Sequence, residues 1–316
     1  MTTTTMTART RRTRRVAAAS AVALAAAAAV TALLPMTANA ASPAHVVNGT
    51  KGNGLTISNG TKYVVMNGTR VDFGVIVRDL AWSPDGKKAA FIDGSGNLEV
   101  ANANATGRHI VAANPGHQTW SHPTWQVAKA DTADEIKAKN NLVFTVNKAG
   151  STSLKRISAT ASHGTPATLP LDPYSGPGVA ANPTTGNNWA SGGGPVGTLA
   201  YENTHNGEIY IRDDYLRQQG GAVTKGSEPA LSPNAEEIVF VRSVKGHDHI
   251  FTSDTSGQHV KDLTSYATSN YTEPTWSADG KTIYFRTSGG TARIPANGGK
   301  LPVVASTYTG LVAYRG

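Results

Sequence analysis

The chain has 316 residues, with 29 basic and 21 acidic side chains and no cysteine. The lack of thiols excludes disulfides, thiol catalysis and Cys-based metal sites. Residues 1–40 hold five arginines and no acid, so the rest carries 24 basic against 21 acidic residues, a net +3. With no basic stripe to track phosphates, no nucleic-acid partner is expected.

Residues 1–40 read as an export signal peptide that is removed. Arg9, Arg11, Arg12, Arg14 and Arg15 precede an Ala-rich apolar run from Val16 to Leu34, and Ala38-Asn39-Ala40 supplies a small-x-small cleavage site. No other apolar stretch is long enough to cross a membrane, and no stop-transfer pattern follows the first one. The Ala-heavy signal points to a bacterial source and to a secreted product, outside the cell or at the cell wall. Residues 41–316 are expected to form one domain.

That domain opens with three Asn-Gly pairs, Asn48-Gly49, Asn59-Gly60 and Asn67-Gly68, punctuating apolar runs such as Tyr63-Val64-Val65-Met66. Asn-Gly between apolar runs is a strong hairpin signal. A repeat then begins. Leu80-Ala81-Trp82-Ser83-Pro84-Asp85-Gly86-Lys87 leads into Ala89-Ala90-Phe91. Glu228-Pro229-Ala230-Leu231-Ser232-Pro233-Asn234 leads into Ile238-Val239-Phe240, and Glu273-Pro274-Thr275-Trp276-Ser277-Ala278-Asp279-Gly280-Lys281 leads into Ile283-Tyr284-Phe285. In each copy an apolar residue of one strand (Trp82, Leu231, Trp276) lies seven places before the first core position of the next. Looser copies start at His122-Pro123-Thr124-Trp125 and reach Leu199-Ala200-Tyr201. The aromatics Phe91, Phe144, Tyr201, Phe240 and Phe285 recur every 39 to 57 residues, a period that means propeller blades.

The run Glu-Pro-x-Trp-Ser-x-Asp-Gly-Lys-x-Ile-x-Phe resembles the TolB-like (WD-like) β-propeller repeat family, closely in residues 80–111, 228–263 and 273–305. The resemblance implies an all-β fold, a single propeller whose funnel or rim binds other molecules, and no particular activity. Five repeats plus a blade shared between residues 45–78 and the tail after Thr309 give about six four-stranded blades, five or seven being the neighbouring counts. Such sharing of N- and C-terminal strands closes a ring and leaves no open sheet edge.

Catalytic chemistry is sparse. No Gly-x-Ser-x-Gly elbow is present. His247-Asp248-His249 could aim two imidazoles at one ion, but it reads as a solvated hairpin on the outer rim. Asp93-Gly94-Ser95-Gly96-Asn97 is too short for a calcium loop and reads as a hairpin. No catalytic residue, metal site or cofactor is expected.

Departures from the repeat are where a rigid scaffold places binding residues. Around Asp131 and Glu135 an insertion runs from Ala128 to Asn140. The Thr132/Glu135 capping spacing and the Glu135/Lys139 pair predict a helical turn there. Asn187, Asn188 and Trp189 lie in a Gly-rich stretch from Asn182 to Pro195. Trp189 is either a recognition residue or a displaced core residue equivalent to Trp82 and Trp276. The resulting expectation is a secreted, monomeric, non-catalytic propeller binding a protein partner, an extracellular enzyme or a wall component. The alternatives are a metal-dependent polysaccharide lyase and a sugar-binding lectin.

Overall fold

The computed structural model describes residues 47–171, 181–218 and 220–316; the expected signal peptide lies outside them. Their 24 strands form six four-stranded antiparallel sheets, the blades of one propeller, and no helix among them is long and apolar enough to cross a membrane. The innermost strands of blades 2 to 6 are Arg78–Trp82, Thr119–Ala128, Asn187–Gly193, Ser227–Leu231 and Thr272–Trp276. Blade 1 is composite: its innermost strand, Leu311–Tyr314, comes from the C-terminal end and pairs antiparallel with Leu55–Ser58.

The seven-residue spacing of the repeat is a hairpin register. Trp82 pairs with Ala89, Leu231 with Ile238 and Trp276 with Ile283 across the first two strands of their blades. The Ser-Pro-Asp-Gly turn between them is tightened by Ser83 Oγ, which donates to Asp85 at 2.7 Å, and by Gly86 at φ +63°. That is a conformation a side chain would resist.

The core is distributed rather than central. Six apolar clusters occupy the six blade-to-blade interfaces, among them Phe144 and Trp125 against Val100 of blade 2, and Phe285 and Trp276 against Val241 of blade 5. All five recurring aromatics are at most 1% exposed, each contributing about 1.5–3 kcal/mol by burial. The repeated tryptophans also stitch blades together by hydrogen bonds. Trp125 Nε1 donates to Ala81 O at 3.1 Å, and Trp276 Nε1 to Ala230 O at 3.0 Å.

Two local expectations are corrected. Residues 131–136 form no helical turn; Asp131 and Ile136 bridge as an antiparallel pair, Glu135 takes φ +57°, and Lys139 pairs with Asp214 rather than with Glu135. The two flanking strands continue to Ala128 and Lys139, and the segment between them closes as a small hairpin of its own, Asp131 N donating to Ile136 O at 3.0 Å and Ile136 N to Asp131 O at 2.8 Å. His247-Asp248-His249 is not a solvated hairpin but the start of a strand, His247–Asp254. His249 is 4% exposed there, its Nδ1 within 2.8 Å of Asp262. Within the Gly-rich stretch, Asn187–Gly193 is the innermost strand of blade 4. Glycine is required in it, because a Cβ at Gly192 would meet Trp125 O at 2.0 Å.

Candidate functional site

Each innermost strand of blades 2 to 6 carries one bulge, and at each bulge sits one residue with a left-handed backbone. These are Asp79 (φ 53°), His122 (48°), Trp189 (49°), Glu228 (51°) and Glu273 (54°). The ladder shifts register at all five, between Arg78 and Ala81 in blade 2 and at the matching points in the others. Bulges bend a strand and re-aim its side chains. A non-glycine residue in this conformation costs about 1–2 kcal/mol. Blade 1 differs in that its innermost strand pairs without a register shift; Gly310 precedes it, and a Cβ there would lie 2.4 Å from Ser58 O.

The five residues sit at one end of the central channel. Asp79, His122, Trp189 and Glu273 line a cavity of about 180 Å³ to which all six innermost strands contribute. A second cavity, of about 310 Å³, lies between the strands' other ends, beside Pro84, Pro233 and Gly194.

Most of the bulges are latched to the preceding blade through their backbone N–H. His122 N donates to Asp79 Oδ2 at 3.3 Å, and Glu273 N to Glu228 Oε2 at 2.6 Å. Here the acceptor is the preceding blade's own bulge carboxylate. In the next two cases it comes from a second strand instead. Trp189 N donates to Thr145 Oγ1 at 3.1 Å, and Glu228 N to Glu202 Oε2 at 2.7 Å. The side chains of His122 and Trp189 are thereby relieved of latching. Their rings stack instead, centroids 3.7 Å apart at an interplanar angle of 32°.

Charge at this mouth is predominantly negative and partly desolvated. Burial, then the neighbouring Glu273, Glu202 and Asp248 carboxylates, push Glu228 up to about 7 against the pull of the Glu273 N–H. Burial also raises Glu202, opposed by the Glu228 N–H and Asn188. It raises Glu273 as well, opposed by Arg286 and reinforced by Asp79. Arg286 holds Glu273 Oε1 at 2.6 Å, while Oε2 is buried with no hydrogen-bond donor. Desolvation lowers His122 despite Asp79 and keeps it neutral near pH 7, and its Nδ1 is likewise without a partner.

The residues singled out from sequence divide between the two ends of the inner strands. Trp189 is at the acidic mouth, three residues ahead of the column that Trp82 and Trp276 occupy; Gly192 fills that column in blade 4. Asn188 Nδ2 donates to Glu202 Oε1 at 2.7 Å and so orients the carboxylate that latches Glu228. Asn187 is fully buried, giving a hydrogen bond to Pro183 O and accepting one from Asn203, which is a structural role. Asp131 and Glu135 are exposed and lie past Ala128, at the opposite end, where Asp131 Oδ1 accepts Ala133 N–H at 2.9 Å. The sequence reading missed Asp79, His122, Glu228 and Glu273. Their signal was the aligned repeats themselves, since each stands three places before Trp82, Trp125, Leu231 or Trp276.

Among the described residues no three His, Asp or Glu side chains converge as a metal-ligating set. The Asp93 carboxylate is used up within its hairpin by the N–H groups of Ser95 and Asn97 and by the Asn97 amide.

Fold and site together define a six-bladed β-propeller with an acidic, aromatic channel mouth. No family model and no curated protein matches the chain. Its fold is similar to a putative TolB from Agrobacterium tumefaciens, with a TM-score of 0.57 at 16% identity over 81% of this chain and 89% of that one. It is also similar to TolB from Acinetobacter baumannii, with a TM-score of 0.55 at 14% identity, covering 83% of this chain and 65% of that one. The structural neighbours are thus TolB propellers, as the repeat implied; at these identities the likeness is one of fold.

Proposed function

We propose that the protein is an exported, monomeric, non-catalytic propeller that binds a protein partner through the face bearing the acidic mouth. The partner is an extracellular enzyme or a component of the cell wall. One observation carries this reading. His122 and Trp189 occupy strained bulge positions, yet the latches that explain the acids at such positions have been handed to Thr145 and Glu202. The backbone N–H of each still latches its strand, but neither side chain takes part in a latch. Strained backbone that aims such side chains into a channel mouth is characteristic of binding and switch sites. A half-exposed Trp on a rigid strand is a good anchor, offering large contact area at low rotamer cost.

The test is capture from culture supernatant, with the wild type, Trp189→Gly and an Asp131→Ala/Glu135→Ala double variant as baits. Glycine tolerates the left-handed backbone, so Trp189→Gly removes the ring without disturbing the bulge. The expected result is one stoichiometric protein retained by the wild type and the double variant and lost by Trp189→Gly. Equal retention by all three, or no stoichiometric partner for the wild type, would sink the proposal.

A further inference from the structure

The acidic mouth has a built-in gap. Going round the ring, a bulge residue stands in each of blades 2 to 6, while blade 1 has no bulge and lines the cavity with the uncharged Leu311, Val312, Ala313 and Tyr314. Its neighbours across that gap are Glu273 on one side and Asp79 on the other, close enough for the Asp79 charge to act on Glu273. Opposite them stand His122 and Trp189, ring on ring. The cavity of about 180 Å³ between these groups has carboxylates on one wall and an aromatic pair on the other.

Three of the five bulge side chains do no latching. Asp79 and Glu228 each accept the next blade's N–H; His122, Trp189 and Glu273 do not. Of these, Glu273 has one oxygen on Arg286 and the other with no donor. His122 adds no positive charge, because desolvation keeps it neutral.

We propose that this cleft is the subsite for one cationic side chain, an arginine or lysine, of the partner protein. The cationic head lies between Glu273 and Asp79, and its aliphatic stem runs along Trp189. This rests on the protein-binding reading and adds the chemistry of the anchor. A guanidinium or ammonium supplies the donors that Glu273 Oε2 lacks. The stem of such a side chain packs along the tryptophan while its charged head stays polar, and both carboxylates complement that charge. An anionic or purely aliphatic anchor would offer no donor to Glu273 Oε2, and a neutral polar one no charge to complement Asp79.

The probes are acetyl-Gly-Arg-Gly-amide, its lysine counterpart and its citrulline counterpart, the last having arginine's shape without its charge. Each is titrated into the purified protein while Trp emission is followed, with Trp189→Gly as the blank. The arginine and lysine peptides should give a saturable change that is absent from Trp189→Gly. Binding should be about tenfold weaker or worse for Glu273→Gln and for the citrulline peptide, the loss expected when a charge-assisted hydrogen bond is removed. Thermal melts check that both variants remain folded, and the citrulline comparison needs no variant at all.

Citrulline binding as tightly as arginine overturns the proposal, as does the absence of any saturable response. Calcium chloride producing the same saturable change at matched ionic strength also overturns it, assigning the cleft to an inorganic ion. The two readings fail separately. A partner captured equally by wild type and Glu273→Gln removes this subsite and leaves protein binding intact. Peptide binding without any captured partner does the reverse.

Discussion

The backbone N–H of Glu273 donates to Glu228 Oε2 at 2.6 Å, joining the innermost strands of blades 5 and 6 through a carboxyl group raised to about 7. Burial is the main cause of that shift, and three nearby carboxylates add to it. The folded protein therefore holds a proton that the unfolded chain releases near 4.5. A group shifted in this sense contributes stability that is complete below its unfolded value and is lost as the pH rises through its folded value. Stability should accordingly fall between about pH 4.5 and pH 7 and level off above. Glu202 and Glu273, raised by burial as well, act in the same direction.

Glu228→Gln separates the latch from the charge. Its amide oxygen still accepts the Glu273 N–H but never ionises. The variant should be more stable than wild type at pH 8, by up to about 3 kcal/mol, and should show a shallower slope between pH 5 and 7. Glu228→Ala leaves the N–H unpaired and should lose about 1–3 kcal/mol at pH 5. Urea melts at the three pH values measure all of this. Parallel pH profiles for wild type and Glu228→Gln would contradict the assignment.

Gly192 is the tightest point between blades 3 and 4. A Cβ there would lie 2.0 Å from Trp125 O, backbone that cannot step aside alone, and Gly192 N already donates to Thr124 Oγ1 at 2.9 Å. Gly192→Ala should therefore destabilise by about 3 kcal/mol or more, beyond the usual range for a surface change. Gly289→Ala is the control, because open space surrounds its Cβ position. Its melting temperature should stay within a degree or two of wild type, roughly the scatter of a neutral surface substitution.

The tryptophan stitches make a graded prediction. Trp276→Phe keeps most of the buried ring in the interface between blades 5 and 6 but gives up the hydrogen bond to Ala230 O. The loss should be about 1–2 kcal/mol. Trp276→Ala empties the site and should cost about 3–5 kcal/mol. Trp189→Ala, by contrast, removes a half-exposed ring outside the six clusters and should cost less than either core truncation. Chemical melts of the three variants give the order directly.

The architecture was readable because its causes are local and repeated. Trp82 stands seven residues before its partner Ala89 since a five-residue turn with Pro84 and Gly86 joins the two strands and Lys88 opens the second, and two further copies reproduce that arithmetic. The mouth was harder to read. Trp and Glu do not signal a left-handed backbone, and Asp and His, though enriched there, adopt it in only a minority of cases, so no single residue type announces the bulge. Trp189 was visible but ambiguous, because Gly192 had replaced the tryptophan that marks the column elsewhere. The insertion after Ala128 misled for another reason. Thr132, Glu135 and Lys139 have helical spacing, but the flanking ladder and Asp214 decide the conformation.

The ring should open first between blades 6 and 1. That interface has the smallest apolar cluster, Leu55, Tyr284, Ala305 and Val312, with Tyr314 packed beside it. Beside it the ring is closed within blade 1, mostly by backbone: four paired positions between Leu55–Ser58 and Leu311–Tyr314 and Arg315 N donating to Gly54 O at 2.8 Å, with Thr307 N donating to Val47 O at 2.9 Å. Hydrogen bonds exchange with water at small net gain, whereas buried apolar area does not. Native-state hydrogen exchange should therefore find the amides of residues 311–315 and 55–58 opening at lower free energy than those of Phe144 or Phe240. Val312→Asp puts a charge into this cluster and should cost about 3 kcal/mol or more. Removing residues 309–316 takes away the innermost strand of blade 1 and bares an edge in the channel. The truncated chain should lose its cooperative melt and associate, as size-exclusion chromatography would record. A monomeric truncation product with an unchanged melt would show that the ring does not depend on this closure.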